Sequence, residues 1–180
     1  MIRDTGIQGL KLIEPKVYED QRGYFMESYN DKAFKEAGLN HEWVQDNESF
    51  STYGILRGLH FQKGDHAQAK LVRVTHGKVL DVVVDLRRNS PSFGKHFSIV
   101  LSADNKRQLL VPRGFAHGYC VLSQTALFMY KCDNFYAPNE EGGIHALDPE
   151  LDIDWLVDAE DMLISEKDQA NPSFADFQKE

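Results

Sequence analysis

The sequence predicts a mainly β protein, a jelly-roll barrel with a few short helices. Three observations carry that expectation. Residues 78–86, Lys-Val-Leu-Asp-Val-Val-Val-Asp-Leu, alternate between two faces. Further short apolar runs follow at 71–74, 97–101, 108–111, 119–122 and 126–132. Turn-forming residues divide them at close intervals, and many short strands so spaced argue for a sandwich or barrel.

Taken in order, one helix is expected near the start. Asn30 or Asp31 caps it, Phe34 and Ala37 give it an apolar side, and Gly38 closes it. In the 78–86 strand, Leu80, Val82, Val84 and Leu86 share one face. Val79, Asp81, Val83 and Asp85 share the other. The turns are His76-Gly77, Asn89-Ser-Pro91, Phe93-Gly94, Ala103-Asp-Asn105 and Pro112-Arg-Gly114. Residues 127–132, Leu-Phe-Met-Tyr-Lys-Cys, are apolar on both faces and need cover on both. A second sheet or a partner subunit supplies it, so a homodimer is expected. The acidic tail from Asp148 is expected to pack outside, anchored by Trp155 and Leu163.

Bulk properties set bounds. A chain of 180 residues is expected to form one domain over 1–180. A net charge of −8 without a dense basic block argues against a nucleic-acid surface. No apolar run reaches the roughly 18 residues of a membrane span. The N-terminal residues show no signal-like apolar region, and Cys120 and Cys132 sit apart inside apolar runs. A cytoplasmic protein with free buried thiols is expected.

Chemistry concentrates in residues 54–62, Gly-Ile-Leu-Arg-Gly-Leu-His-Phe-Gln. Arg57 can hold an anion while His60 moves a proton. A structural histidine and a surface arginine remain the plainer readings of the same residues. Strand parity puts Lys70, Val72, Val74 and His76 on one face, and Phe128, Tyr130, Cys132, Asn134 and Tyr136 on another. A buried Lys or Tyr there must find a partner. Asp20-Gln-Arg22-Gly-Tyr-Phe25-Met-Glu27 suits phosphate and base contact, or is a turn with a charge pair. Ser165-Glu-Lys-Asp168 reads as a helix cap.

Pro112-Arg-Gly114-Phe-Ala-His117 resembles the second motif of the cupin superfamily, P-x-G-x-x-H. The H-x-H and carboxylate set of metal-binding cupins is missing, since Phe61 and Gln62 follow His60. No metal is expected. A metal-dependent cupin and a non-catalytic sugar-binding cupin stay as alternatives.

Further segments occur in order: Gln45-x-Asn47-x-Ser49, Gln68-x-Lys-Leu-Val-Arg73, Asp81-Val-Val-Val-Asp-Leu-Arg87, Ser90-Pro-Ser-Phe-Gly94 and Tyr136-x-Pro138. With those above, they are similar to the dTDP-4-dehydrorhamnose 3,5-epimerase family across nearly the whole chain. The resemblance implies a cupin-like jelly roll, usually a homodimer, acting on a dTDP-4-keto-6-deoxy sugar without a cofactor. It implies His60 as general base with Asp168 as its partner, Tyr130 as general acid, and Lys70 meeting enolate charge. Asp81 and His117 would line the same cavity as supporting polar groups. Arg22, Glu27, Gln45 and Arg57 would hold the nucleotide sugar, with Phe25 beside the base and Tyr136 stacked on it. Asn47, Glu141 and Lys167 are further candidates. The segment from Arg22 to Glu27 would reach a neighbouring subunit. A mono-epimerase acting at C3 or C5 alone would use the same groups. The sequence departs from the family at Lys63-Gly-Asp-His66, where a proline-rich turn is common, and at Trp155-Leu156, where Trp-Pro is common.

Overall fold

The computed structural model describes residues 1–179. Strands begin with β1 (Ile2–Asp4), β2 (Lys11–Ile13), β3 (Val17–Asp20) and β4 (Gly23–Met26), then the helix α1 (Asp31–Glu36). The barrel strands follow: β5 (Gln45–Thr52), β6 (Ile55–Gln62), β7 (Lys70–His76), β8 (Lys78–Asp85), β9 (His96–Ser102), β10 (Gln108–Val111), β11 (Phe115–Val121) and β12 (Thr125–Cys132). The short β13 (Glu141–Gly143) and β14 (Leu163–Ile164) precede α2 (Glu166–Gln169) and α3 (Phe174–Lys179).

Two sheets pack face to face as the expected jelly roll. One has the order β1-β2-β10-β7-β12-β5 and the other β13-β6-β11-β8-β9, with β14 parallel to β6. β3 and β4 form a separate hairpin. The alternation in β8 explains the layers. Val79 and Val83 join Val72, Phe115 and Phe128 between the sheets. Leu80, Val82 and Val84 turn outward, where Ile144, Leu151, Trp155 and Phe174 of the tail cover them. Each fully buried branched side chain contributes roughly 1.5–3 kcal/mol, so the tail is a substantial part of the fold's stability. On the other sheet, Phe34 of α1 covers Leu71 and Leu110.

Several expectations need correction. Trp155 anchors the tail and donates from Nε1 to the Ala146 carbonyl at 2.9 Å. Leu163 does not anchor it: its side chain is 59% exposed. β14 pairs with β6, so adjacent side chains point oppositely, and Ile164 takes the inward place. Asn30 caps α1 by accepting from the Ala33 amide, but Ala37 is an exposed C-cap residue, leaving Phe34 as the buried one. β5 and β6 fall outside the strands read from periodicity. β5 is largely polar, and β6 contains Gly58, whose φ is +118°. A Cβ there would lie 2.6 Å from Gly118 Cα, so glycine lets β6 and β11 approach closely. Cross-strand pairing then sets His60 opposite His117.

Candidate active site

A cavity of about 610 Å³ opens at one end of the barrel, lined by His60, Lys70, His117, Tyr130, Lys167 and Asp168 among others. Arg57 stands on its wall and donates from Nε to Ser51 Oγ at 3.1 Å. A smaller hollow of about 100 Å³ shares His60, Lys70 and Tyr130 and adds Gln45, Asn47, Tyr136 and Glu141.

His60 Nε2 lies 2.6 Å from Asp168 Oδ1. A carboxylate accepts, so Nε2 carries the proton and Nδ1 is left as the ring's acceptor. Asp168 is held twice more. Its Oδ2 accepts from the Gly58 amide at 3.2 Å, and its own amide donates to Ser165 Oγ at 3.1 Å. The capping reading of Ser165-Glu-Lys-Asp168 is therefore correct for the backbone, while the Asp168 carboxyl is free to serve the imidazole.

Lys70 and Tyr130 come from adjacent strands, β7 and β12. Lys70 Nζ sits 5.6 Å from the Tyr130 ring centroid. Burial pushes the Lys70 ammonium below its ordinary range, against the pull of Cys132, Asp81 and Glu141. Burial also pushes the Tyr130 phenol up to about 12, so it stays protonated across the physiological range.

Asp81 and His117 form a second imidazole–carboxylate pair, with Nε2 and Oδ2 2.8 Å apart. His117 lines the cavity, whereas Asp81, expected there too, is fully buried behind it. Asp81 Oδ1 has no hydrogen-bond partner among the described residues. Burial raises the Asp81 pKa, while His117 and Lys70 oppose the shift. Glu141 receives Tyr136 OH at 2.9 Å and Lys167 Nζ at 2.7 Å. Burial works against its ionisation, but these donors prevail and hold its pKa below the ordinary value.

Three of the residues named from sequence lie elsewhere in this chain. Arg22 and Phe25 are on the exposed β3–β4 hairpin, where Arg22 pairs with Asp20. Glu27 follows β4 and accepts from Asn30 Nδ2 at 2.9 Å. Sequence reasoning named Ser49 and Phe128 but gave neither them nor Tyr119 a place in the cavity that all three line. Ser49 Oγ meets Tyr119 OH at 2.8 Å, and the Tyr119 ring stacks on Phe128 at 4.2 Å. Their parity on β5, β11 and β12 is the signal that finds them.

A jelly roll whose cavity brings together a carboxylate-backed imidazole, a high-pKa phenol and an ammonium has the parts of an acid–base isomerase. The comparisons narrow this. The family model described as dTDP-4-dehydrorhamnose 3,5-epimerase matches residues 4–176. The enzyme of that name from Pseudomonas aeruginosa is 56% identical over 92% of this chain and 91% of its own. The crystal structure of the Elizabethkingia anophelis enzyme has a TM-score of 0.94 at 56% identity, covering 98% and 97% of the two chains. A Legionella pneumophila dTDP-6-deoxy-D-glucose-3,5-epimerase, solved with dTDP-4-keto-L-rhamnose, has a TM-score of 0.92 at 49% identity, covering 96% and 92%. The chain belongs to the dTDP-4-dehydrorhamnose 3,5-epimerase family.

Proposed function

We propose that this chain, as one domain over residues 1–180, inverts C3 and C5 of dTDP-4-dehydro-6-deoxy-D-glucose, giving dTDP-4-dehydro-L-rhamnose. Family membership supports the substrate. The observation that carries the mechanism is the 2.6 Å bond between His60 and Asp168 in the cavity that Tyr130 and Lys70 also line.

The C4 ketone acidifies the hydrogens on both neighbouring carbons. His60 takes one through its free ring nitrogen, and Asp168 orients the ring and stabilises the imidazolium. Electron density moves onto the C4 oxygen, where Lys70 meets the developing charge. The Tyr130 phenol then returns a proton to the opposite face, and the carbon is inverted. The imidazolium then gives its proton to solvent and the phenolate takes one back, and with both groups restored a second round at the other carbon uses the same pair. Protons balance at each centre, and no electron leaves the substrate. Asp81 and His117 act as supporting polar groups. Arg57, Gln45, Asn47, Lys167 and Glu141 hold the nucleotide sugar, with Tyr136 against the base. Arg22, Phe25 and Glu27 serve a neighbouring copy in a homodimer, which accounts for their distance from this chain's cavity. Among the described residues no helix is long and apolar enough to cross a membrane. We take the enzyme to work in the cytoplasm.

Replacing His60 with Asn is expected to lower turnover by roughly 10²- to 10⁴-fold, the usual contribution of a positioned base. Proton NMR in deuterated water reads both centres directly; wild-type exchange in that variant would remove His60 from the role. Tyr130→Phe is expected to keep substrate exchange with solvent while inversion falls by a factor in the same rough range. Undiminished inversion would assign the acid elsewhere.

A further inference from the structure

Residues 134–137, Asn-Phe-Tyr-Ala, adopt neither helix nor strand, yet their backbone is tied at nearly every polar group. Gln62 Nε2 donates to the Phe135 carbonyl at 3.1 Å, and Gln62 Oε1 accepts from the Ala137 amide at 2.7 Å. Gln62 Nε2 also reaches the His66 carbonyl at 2.7 Å, stapling the 64–66 turn to the same segment. Gln68 Nε2 donates to the Asn134 carbonyl at 2.8 Å. Gln45 Oε1 accepts from the Tyr136 amide at 3.0 Å. Asn134 closes on its own neighbourhood, accepting from the Phe135 amide and donating to the Asp65 carbonyl, both at 2.9 Å. Gln62 itself is buried, so its amide is committed to these bonds.

The side chains on this strap behave in the opposite way. Phe135 is 66% exposed and Tyr136 is 52% exposed. An exposed loop aromatic is ordinarily free to change rotamer, and a ligand that stacks on it must order it first. Tyr136 has lost that freedom beforehand. Gln45 holds its amide, and Glu141, itself braced by Lys167, holds its hydroxyl. A ring fixed at both ends, with an open face beside the cavity, is a stacking surface prepared in advance.

We propose that Gln62 and Gln68 are positioning residues that pre-order residues 134–137 as the platform for the nucleoside base, so that they govern nucleotide affinity and leave the chemical step alone. This rests on the proposed function, specifically on Tyr136 facing the base. Both glutamines line the smaller hollow, but their amides are committed to the strap, so neither has to touch substrate. Gln62 stands two residues from His60 on β6 but directs its amide to the strap.

The test uses the full chain, with dTDP as the calorimetric probe and the dTDP-4-keto-6-deoxy sugar as substrate. Gln62→Met keeps the side-chain volume and removes the amide. It is expected to weaken dTDP binding and raise KM roughly tenfold, about the effect of having to order a few side chains on binding, with kcat within about twofold of wild type. In a Tyr136→Ala background the same change should add no further loss, because Gln62 acts through that ring. If Gln62→Met fails to fold, Gln68→Met carries the same cycle from the other end of the strap. Additive losses in the double variant would overturn the proposal, as would a fall in kcat at unchanged KM. A wild-type chain that does not bind dTDP would overturn the functional reading and this proposal together.

Discussion

Asp81 and Asp85 lie on one face of one strand, β8, and both side chains are 0% exposed. Their surroundings could hardly differ more. Asp85 is saturated: the Arg87 amide, Nε and Nη2 donate to it, as do the Ser90 and Ser92 hydroxyls, at 2.6–3.0 Å. Burial works against its ionisation, but these donors outweigh it and hold its pKa well below 3.8. Arg87 also lies over the Phe115 ring, tying this cluster to the core between the sheets. Asp81 has the imidazole of His117 on one oxygen and no partner on the other, and burial raises its pKa. A charge that is fully bonded fastens one end of the barrel. A carboxylate left partly unsatisfied beside a lysine belongs to the end that holds the candidate site.

The comparison can be broken at either carboxylate. Asp85→Ala leaves Arg87, the buried Ser92 hydroxyl and the half-buried Ser90 hydroxyl without their acceptor and should cost about 3 kcal/mol of stability, measured by urea unfolding. Turnover per folded molecule should hold. A parallel loss of turnover would mean that the two ends are not independent. Asp81→Asn should do the reverse. Unfolding midpoints should barely move, while kcat falls roughly tenfold and the alkaline limb of its pH profile shifts down. The Asp81 charge favours protonated Lys70, as do Cys132 and Glu141, so removing it lets Lys70 lose its proton at lower pH. An unmoved alkaline limb would show that Asp81 is already neutral in the resting enzyme.

Ser92→Ala is the finest probe, costing about 1 kcal/mol at neutral pH for one lost hydrogen bond to the carboxylate. The sign of its pH dependence follows from Asp85. A group whose folded pKa is depressed contributes stability in full above its unfolded value, here 3.8, and loses it as pH falls through the folded value. The gap between wild type and Ser92→Ala should therefore narrow in acid, and a gap that stays constant would detach Ser92 from the Asp85 charge.

Legibility in the sequence followed the same physical line. β8 was readable because both of its faces are buried and its alternation is strict. β5 was not, because its residues are mostly polar and Phe50 is exposed. β6 was not, because glycines interrupt the pattern where two strands approach. Parity marked Lys70 and Tyr130 each as a polar group on a largely apolar face, but that β7 and β12 are neighbours is seen only in the fold. The partnership of His60 with Asp168 came only through family resemblance, since 108 residues separate them and no local rule spans that distance. The placement of Leu163 failed because a two-residue strand offers no period to read.

The Asp168 carboxylate that meets the His60 imidazole is delivered by the wrap of the tail, not by the barrel that holds the ring. During synthesis the barrel strands β5 to β12 can meet while the imidazole still lacks its companion. The His60–Asp168 pair is thus finished last, and a chain clipped ahead of α2 would carry a nearly whole barrel with an unaided histidine.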